Sequence, residues 1–196
     1  MKAFENPEVS SKEYEIVFWD NSEACINEKY VTEAISRLTR LGIVTNYINT
    51  PENLALSKLY NKIIESYQFE KNYLFVLDQD SEFDDGYFLE FEKIIKSNNP
   101  DVILPIVKFK DQIVSPTRII YLKGFYYNRA PRGFVNSKMV SAINSGMIIS
   151  LQFIMKHGYR YNEQLRNYCT DDDIMQFVRK IKGSIYAMDY MFEHDL

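Results

Sequence analysis

A short apolar run that ends in two acidic residues constrains the fold of this chain more than any other feature. The run occupies residues 73–77 (YLFVL), and Asp78 and Asp80 follow it. A continuous apolar run of this length is typical of a strand buried on both faces, as in a parallel sheet covered by helices. The two acids then lie at the carboxyl end of the strand, where open α/β sheets form their ligand crevices.

The spacing of Asp78 and Asp80 allows them to share a ligand. Side chains two positions apart in an extended segment point the same way, so both carboxylates can converge on one cation. Carboxylate oxygens suit Mg²⁺ or Mn²⁺, and a divalent ion held in this way would bind a diphosphate. The alternative is a polar turn that merely closes the strand. The Asp-x-Asp spacing alone does not separate these two interpretations.

Two other families with an Asp-x-Asp motif fit the flanking residues poorly. A calcium loop of the EF-hand type needs Gly at its sixth position and Glu at its twelfth, but Phe83 and Leu89 stand there when Asp78 is counted as the first. A haloacid-dehalogenase-like phosphatase would use Asp78 as its nucleophile and usually has Thr or Val two residues after the second Asp. Glu82 occupies that position, and the motif lies well inside the chain. The calcium site is excluded and the phosphatase is disfavoured.

Length and charge restrict the class of protein. The chain has 196 residues, 46% of them hydrophobic, which predicts a single domain with a substantial core. Its 23 basic and 27 acidic residues give a net charge of −4, so we expect no electrostatic binding of nucleic acid. Cys25 and Cys169 have no metal-site spacing, and no apolar run approaches the roughly 18 residues of a membrane span. We expect a cytoplasmic location, at most peripheral to the inner face of the membrane.

Apolar runs and helical patterns alternate along the chain, which predicts an α/β fold with a mostly parallel sheet. The predicted strands are 14–19, 43–48, 73–77, 101–107 and 185–188, and a strand-like run follows the turn of small residues within 144–150. The predicted helices are 28–41, one that begins at 50–53 and has its apolar stripe over 56–67, 84–96, 151–157 and 170–182. Residues 1–12 are polar and irregular, so we expect a loose arm. Residues 108–138 have weak periodicity, and this loop-rich insert either closes over an anionic or sugar ligand or forms an ordinary solvated surface.

Three consecutive acids, Asp171, Asp172 and Asp173, open the last predicted helix. Helix capping and the helix dipole explain them without any function. Crowded carboxylates at a ligand crevice can also have raised pKa values, which suit a general base. Asn61 lies at the margin of the apolar stripe of its helix, and we expect its amide to be half-buried and bonded to a loop.

Taken together, these segments resemble the family 2 inverting glycosyltransferases of the GT-A fold, in a form most like the rhamnosyltransferases. The resemblance covers about residues 14–196 and depends on the order of the motifs as much as on each motif. The matching segments are Asp20-Asn21-Ser22, Asn53 with Asn61, Asp78-Gln79-Asp80-Ser81, Ser145-Gly146, Asp173 with Arg179, and His194. Ala55 replaces a usual Gly.

The resemblance implies metal-dependent transfer of a sugar from a nucleoside-diphosphate-sugar to an acceptor hydroxyl. Asp78, Asp80 and His194 would hold Mn²⁺ or Mg²⁺ beside the diphosphate. Asp20 and Asn53 would hold the base or ribose of the donor, together with Asp78. The acceptor would be a saccharide or lipid-linked saccharide, as in the synthesis of bacterial surface polysaccharides.

The resemblance also implies a general base among the three acids that open the last helix. Asp173 lies six residues before Arg179, which matches the spacing of the family's base motif and makes it the first choice. Asp171 and Asp172 remain alternatives because the triple acid leaves the register open.

One departure from the family pattern affects the whole sheet. Members normally begin with a further strand and helix, whereas only about a dozen polar residues precede Tyr14 here. A gap at that place would leave backbone groups unpaired, so we expect either closure of the neighbouring strands or a homo-oligomer. A truncated, non-catalytic or assembly-dependent nucleotide-sugar-binding domain is therefore the alternative to an active enzyme.

Overall fold

The computed structural model describes residues 3–24, 28–79, 81–121, 123–166 and 168–194. The predicted metal ligand Asp80 lies outside the described residues, as does Cys25. No helix of the described chain is long and apolar enough to cross a membrane.

Strands and helices occur close to where the apolar patterns predict them. The strands of the described chain are β1 (Glu15–Asp20), β2 (Val44–Asn49), β3 (Tyr73–Val76), β4 (Val102–Phe109), β5 (Gln112–Ser115), β6 (Thr117–Ile120), β7 (Lys123–Tyr126), β8 (Gly133–Val135), β9 (Val140–Ser141), β10 (Met147–Ser150) and β11 (Ile185–Glu193). The helices are α1 (Glu28–Arg40), α2 (Leu56–Tyr67), α3 (Asp85–Ser97), α4 (Leu151–His157) and α5 (Thr170–Ile181).

The largest sheet has the strand order β3-β10-β4-β11-β8, with β5 paired to β4. β4 and β11 are parallel, but β10 is antiparallel to both β3 and β4. The sheet is therefore mixed, where the sequence predicted a mostly parallel one. Parallel neighbours need a long crossover, usually a helix. The stretch between β4 and β10 instead contains strands β5 to β9. After these strands, β10 pairs with β4 in the antiparallel direction.

A separate parallel pair, β1 and β2, lies beside this sheet. Within the described residues β1 pairs with β2 alone, and β3 pairs with β10 alone. The closure of neighbouring strands that the sequence predicted is therefore not present between β1 and β3.

Two apolar layers cover the two faces of the large sheet. Alternate residues of β4 illustrate the division, because Val102 and Leu104 pack in one layer and Ile103 in the other. The first layer is formed with α5 through Ile174, Met175 and Val178. The second is formed with α3 through Tyr87, Phe88, Phe91 and Ile94. Residues 102–107 and all of β10 are buried, so these strands are the centre of the core.

The first residues pack against α3 and do not form the expected loose arm. Phe4 and Val9 are buried in the second apolar layer. The backbone N–H groups of Phe4 and Asn6 donate to the Asp85 carboxylate at the start of α3, the second at 3.0 Å. The sequence did not predict this contact, because most of these residues are polar. The backbone and a few apolar side chains form the contact.

Residues 108–138 form strands and not a loop-rich insert. β6 pairs with β7 and β9 to give a small antiparallel sheet, and β8 joins the large sheet through β11. Arg132 forms an ion pair of 2.8 Å with Asp189 on β11. Short strands with exposed faces have weak periodicity, and for that reason the sequence did not indicate them.

Candidate active site

Asp78 lies at the carboxyl end of β3, next to the turn that precedes β10. The Ser145 hydroxyl donates a hydrogen bond to the Asp78 carboxylate. The Gly146 N–H donates to the Val76 carbonyl at 2.8 Å, and the Tyr87 hydroxyl donates to the Gly146 carbonyl at 2.7 Å. Gly146 has φ of 73°, and a Cβ there would lie 2.9 Å from a Pro105 side-chain carbon. Only glycine fits this position, so the turn holds Ser145 against Asp78.

His194 follows β11 and reaches the same edge of the sheet. The backbone N–H of His194 donates to the Lys108 carbonyl at 2.9 Å, which continues the pairing of β11 with β4. Its Nδ1 lies 3.0 Å from the Ser81 hydroxyl. Asp78, Ser81 and His194 all line one open cavity of about 1510 Å³. The two ends of the predicted metal site, far apart in sequence, therefore meet at one place.

The residues at this edge fit a divalent metal by their chemistry. A carboxylate from Asp78 and an imidazole from His194 form a donor set that Mn²⁺ accepts. The described part of the chain holds no group of three or more acidic, His or Cys side chains arranged for a metal ion. Asp80 lies outside the described residues, so its role as the third metal ligand stays a prediction.

The three acids at the start of α5 have different surroundings. The Asp173 carboxylate accepts hydrogen bonds from the Tyr159 hydroxyl at 2.9 Å and from the Asn162 N–H at 3.0 Å. Asp173 therefore fastens the preceding loop to the helix. Asp172 is exposed, with the Ser141 hydroxyl at 3.5 Å.

Asp171 is the acid of this group whose environment disfavours its charge. Burial raises the pKa of its carboxyl group, and the negative charges of Asp172 and Asp78 raise it further. Two hydrogen bonds from nearby backbone N–H groups oppose this shift.

Tyrosines lie among these acids, and the sequence analysis missed their part in the site. Burial raises the pKa of Tyr60, and Asp78 and Asp171 both add to the shift. The Tyr60 ring centroid lies 5.2 Å from that of Tyr161. The Tyr161 hydroxyl is buried and has no hydrogen-bond partner within the described residues. The sequence assigned Tyr60 only to the buried stripe of α2, because aromatic residues at helical spacing indicate a core.

Asn61 positions Tyr161. The Asn61 amide donates to the Tyr161 carbonyl at 3.0 Å and accepts from the Tyr161 N–H at 2.9 Å. Its side chain is only 3% exposed. The prediction that this amide bonds to a loop agrees with these contacts, although the residue is fully buried and not half-buried.

Asp20 and Asn53 lie in a second polar cluster at the end of β1. The Asp20 carboxylate is buried and accepts from the Tyr47 hydroxyl and the Ser22 N–H. The Asn21 amide donates to the Asn53 side chain at 3.2 Å, and Asn53 is exposed with φ of 48°. Of these residues Asn21 lines the cavity that Asp78 and His194 share. The proposed contacts of Asp20 and Asn53 with a base or ribose stay a prediction.

Solved structures share this fold. Residues 1–349 of S. aureus TarS superimpose with a TM-score of 0.65 at 13% identity, over 93% of this chain and 51% of that solved chain. GalNAc-T7, solved with UDP, GalNAc and Mn²⁺, gives a TM-score of 0.64 at 12% identity, over 93% of this chain and 38% of the solved chain. The chain thus spans about half or less of these structures. No protein-family model and no curated protein matches the sequence. The predicted GT-A fold is confirmed, with a mixed sheet.

Proposed function

We propose that this chain transfers a sugar from a nucleoside-diphosphate-sugar to an acceptor hydroxyl. The placement of Asp78 and His194 on one cavity at the same edge of the sheet carries this proposal, and the half-buried Asp171 provides a candidate base. The GT-A fold and the nucleotide and Mn²⁺ present in the GalNAc-T7 structure support it. The family 2 assignment and an acceptor from bacterial surface polysaccharide follow from the sequence resemblance.

The donor diphosphate would lie at the edge that Asp78 and His194 form. These residues, with Asp80, would hold Mn²⁺ or Mg²⁺, and the bound ion would offset the charge that develops on the departing diphosphate. Ser145 keeps the Asp78 carboxylate oriented through its hydroxyl group. The cluster around Asp20 and Asn53 lies on the β1 side, where the base or ribose of the donor would bind.

Asp171 is assigned the role of general base in place of the first choice, Asp173. A carboxylate with a raised pKa is a stronger base at neutral pH than an ordinary one. Asp173 instead accepts hydrogen bonds from Tyr159 and Asn162 that hold the preceding loop against the helix. In the proposed step Asp171 takes the acceptor proton, the acceptor oxygen bonds to the anomeric carbon, and the bond from that carbon to the diphosphate breaks. A single displacement of this kind inverts the anomeric configuration.

A panel of nucleotide sugars in the presence of Mn²⁺ tests the proposal. We expect release of the nucleoside diphosphate from one donor, and Asp78→Asn should lower both this release and the calorimetric affinity for the diphosphate by about 10²-fold or more. Asp111→Asn, at an exposed turn between β4 and β5, is the matched control and should change neither. Binding without turnover would instead favour the nucleotide-sugar-binding domain. A beryllofluoride adduct on Asp78 would establish the phosphatase and refute the transferase.

A further inference from the structure

A groove separates β1 from β3, and both strands present an unpaired edge to it. In the described chain β1 is bonded only to β2 and β3 only to β10. Consecutive residues of both strands, 15–19 and 73–76, line the same cavity of about 1510 Å³. The groove is therefore bounded on its two sides by backbone N–H and C=O groups that no neighbouring strand satisfies.

The two strands start at the same end of the groove. Lys71, two residues before β3, forms an ion pair of 2.7 Å with Glu15, the first residue of β1. The Tyr67 hydroxyl also donates to Glu15 at 2.9 Å. Asn21 and Asp78, which follow the two strands, line the cavity at the other end. A strand placed between β1 and β3 could run parallel to both.

The cavity is large enough for one inserted strand and too small for two. A strand advances about 3.3 Å per residue, neighbouring strands lie about 4.8 Å apart, and a sheet with its packed side chains is about 10 Å thick. Each residue of an inserted strand thus needs about 160 Å³, and six residues need about 950 Å³. Two such strands would need about 1900 Å³, which exceeds the 1510 Å³ of the cavity.

The lining of the groove indicates an apolar occupant with a polar backbone. Phe4 and Phe88 lie on one face of the groove, and Leu59 and Ile63 lie on the other. An inserted strand would therefore bury side chains on both faces, which requires apolar residues at consecutive positions. An alkyl chain could fill this volume, but it would leave the edges of β1 and β3 unpaired, and each buried unpaired group costs about 1–3 kcal/mol.

We propose that the groove binds one extended apolar segment of a partner polypeptide, about six residues long, as a strand parallel to β1 and β3. The described apolar runs of such length already lie in strands and helices, and residues 3–14 pack against α3. The bound strand would join the two sheets into one. Its carboxyl end would lie between Asn21 and Asp78, so it would complete the wall of the candidate site. The inference rests on the two strand edges and does not require that the chain transfers a sugar.

Trp19 provides the readout, because it is the single tryptophan of the chain and lines the groove. The probe is a synthetic peptide of about six alternating Val and Ile residues between flanking lysines. We expect a saturable change in Trp19 fluorescence, and exchange of the amide protons of β1 and β3 slowed about tenfold or more at saturation. A peptide N-methylated at alternate amides keeps the same side chains but lacks the peptide N–H donors at the methylated positions. It should bind at least about tenfold more weakly than the unmethylated peptide.

A matched pair of variants tests the position of the peptide. Val17→Asp places a charge in the groove and should weaken peptide binding about tenfold or more. Val44→Asp makes the same change on the exposed side of β2 and should leave binding unchanged. Should Val17→Asp fail to fold, the comparison of the two peptides on the unaltered chain still decides the question.

Four outcomes would overturn the proposal. They are the absence of any fluorescence change at millimolar peptide, equal binding of the N-methylated peptide, protection of β1 and β3 by a dodecyl detergent alone, and protection that accompanies self-association without peptide. The third result would identify an alkyl ligand. The fourth would identify a second copy of the chain, which sedimentation velocity would show.

Discussion

At the scale of single residues, the three acids at the start of α5 differ in their surroundings. These surroundings, and not the position of each acid in a motif, indicate its role. Asp171 is half-buried near the charge of Asp78, whereas Asp173 is hydrogen-bonded to Tyr159 and Asn162. Spacing to Arg179 favoured Asp173, because a motif records only separation along the chain. The contacts favour Asp171 as the base and give Asp173 a role in holding the loop.

Replacement of Asp171 tests this assignment. Asp171→Asn should lower kcat for sugar transfer by about 10²–10⁴-fold, because the acceptor proton loses its base. Affinity for the nucleoside diphosphate should not fall, since the substitution removes a negative charge near the diphosphate site. Asp172→Asn, at the exposed neighbouring position, is the control and should retain kcat within about threefold of the unaltered chain. Steady-state kinetics and calorimetry measure the two effects separately.

The pH dependence of kcat provides an independent check on the same residue. The base must be ionised, and burial raises the pKa of Asp171 above the ordinary value of 3.8. Activity should therefore be lost as the pH falls, at a pH above 3.8. A larger loss of kcat in Asp173→Asn than in Asp171→Asn, in folded proteins, would return the role of base to Asp173.

At the scale of elements, the link between α2 and the loop before α5 controls the shape of the site. Asn61 on α2 satisfies both backbone groups of Tyr161, and the Ser57 hydroxyl donates a very short hydrogen bond to the Leu165 carbonyl. These contacts join residues about one hundred positions apart, and they place Tyr161 against Tyr60. The tyrosine side of the site thus depends on a buried amide.

Asn61→Ala should lower the free energy of unfolding by about 2–4 kcal/mol, because two buried backbone groups of Tyr161 lose their partner. Urea denaturation measures this change. Lys62→Ala changes the next residue of the same helix, which is exposed, and should stay within about 0.5 kcal/mol of the unaltered chain. Equal stability of the two variants would show that Asn61 does not hold the loop.

At the scale of the whole molecule, the chain consists of a tightly packed sheet and a less protected strand pair. Residues 102–107 of β4 and all of β10 are buried, whereas five of the six residues of β1 are only half-buried. A two-stranded sheet has little stability of its own. The β1–β2 pair is held by its packing against α3 and the first residues, by the hydrogen bond from Tyr67 of α2 to Glu15, and by the ion pair between Glu15 and Lys71.

Native-state hydrogen exchange should separate these two parts. Amide protons of β1 and β2 should exchange through local opening, at least about 10²-fold faster than those of β4 and β10, which exchange only on global unfolding. All these amides are measured in one sample at one pH, and their intrinsic exchange rates can be corrected residue by residue. The two sets of strands therefore serve as controls for each other. Equal protection of β1 and β4 would mean that the two sheets open as one unit.

Apolar patterns along the chain were enough to predict the main strands and helices. The apolar run before Asp78 predicted β3, and the stripes of α2 and α5 predicted their buried faces, because periodicity records which side chains avoid water. The place of Asp78 at the carboxyl end of β3 followed directly. The resemblance to the GT-A glycosyltransferases added the fold, which the comparison with solved structures confirms.

The arrangement of these elements in space depends on contacts that no local pattern records. The antiparallel direction of β10, the pairing of Asn61 with Tyr161 and the separate surroundings of Asp171 and Asp173 all depend on contacts between distant segments. The sequence indicated a gap beside β1 and left two outcomes open, closure of the neighbouring strands or a homo-oligomer. In the described chain β1 and β3 do not pair, and the contact between their starts is the Glu15–Lys71 ion pair. Local patterns encode burial, whereas strand pairing depends on where the rest of the chain packs.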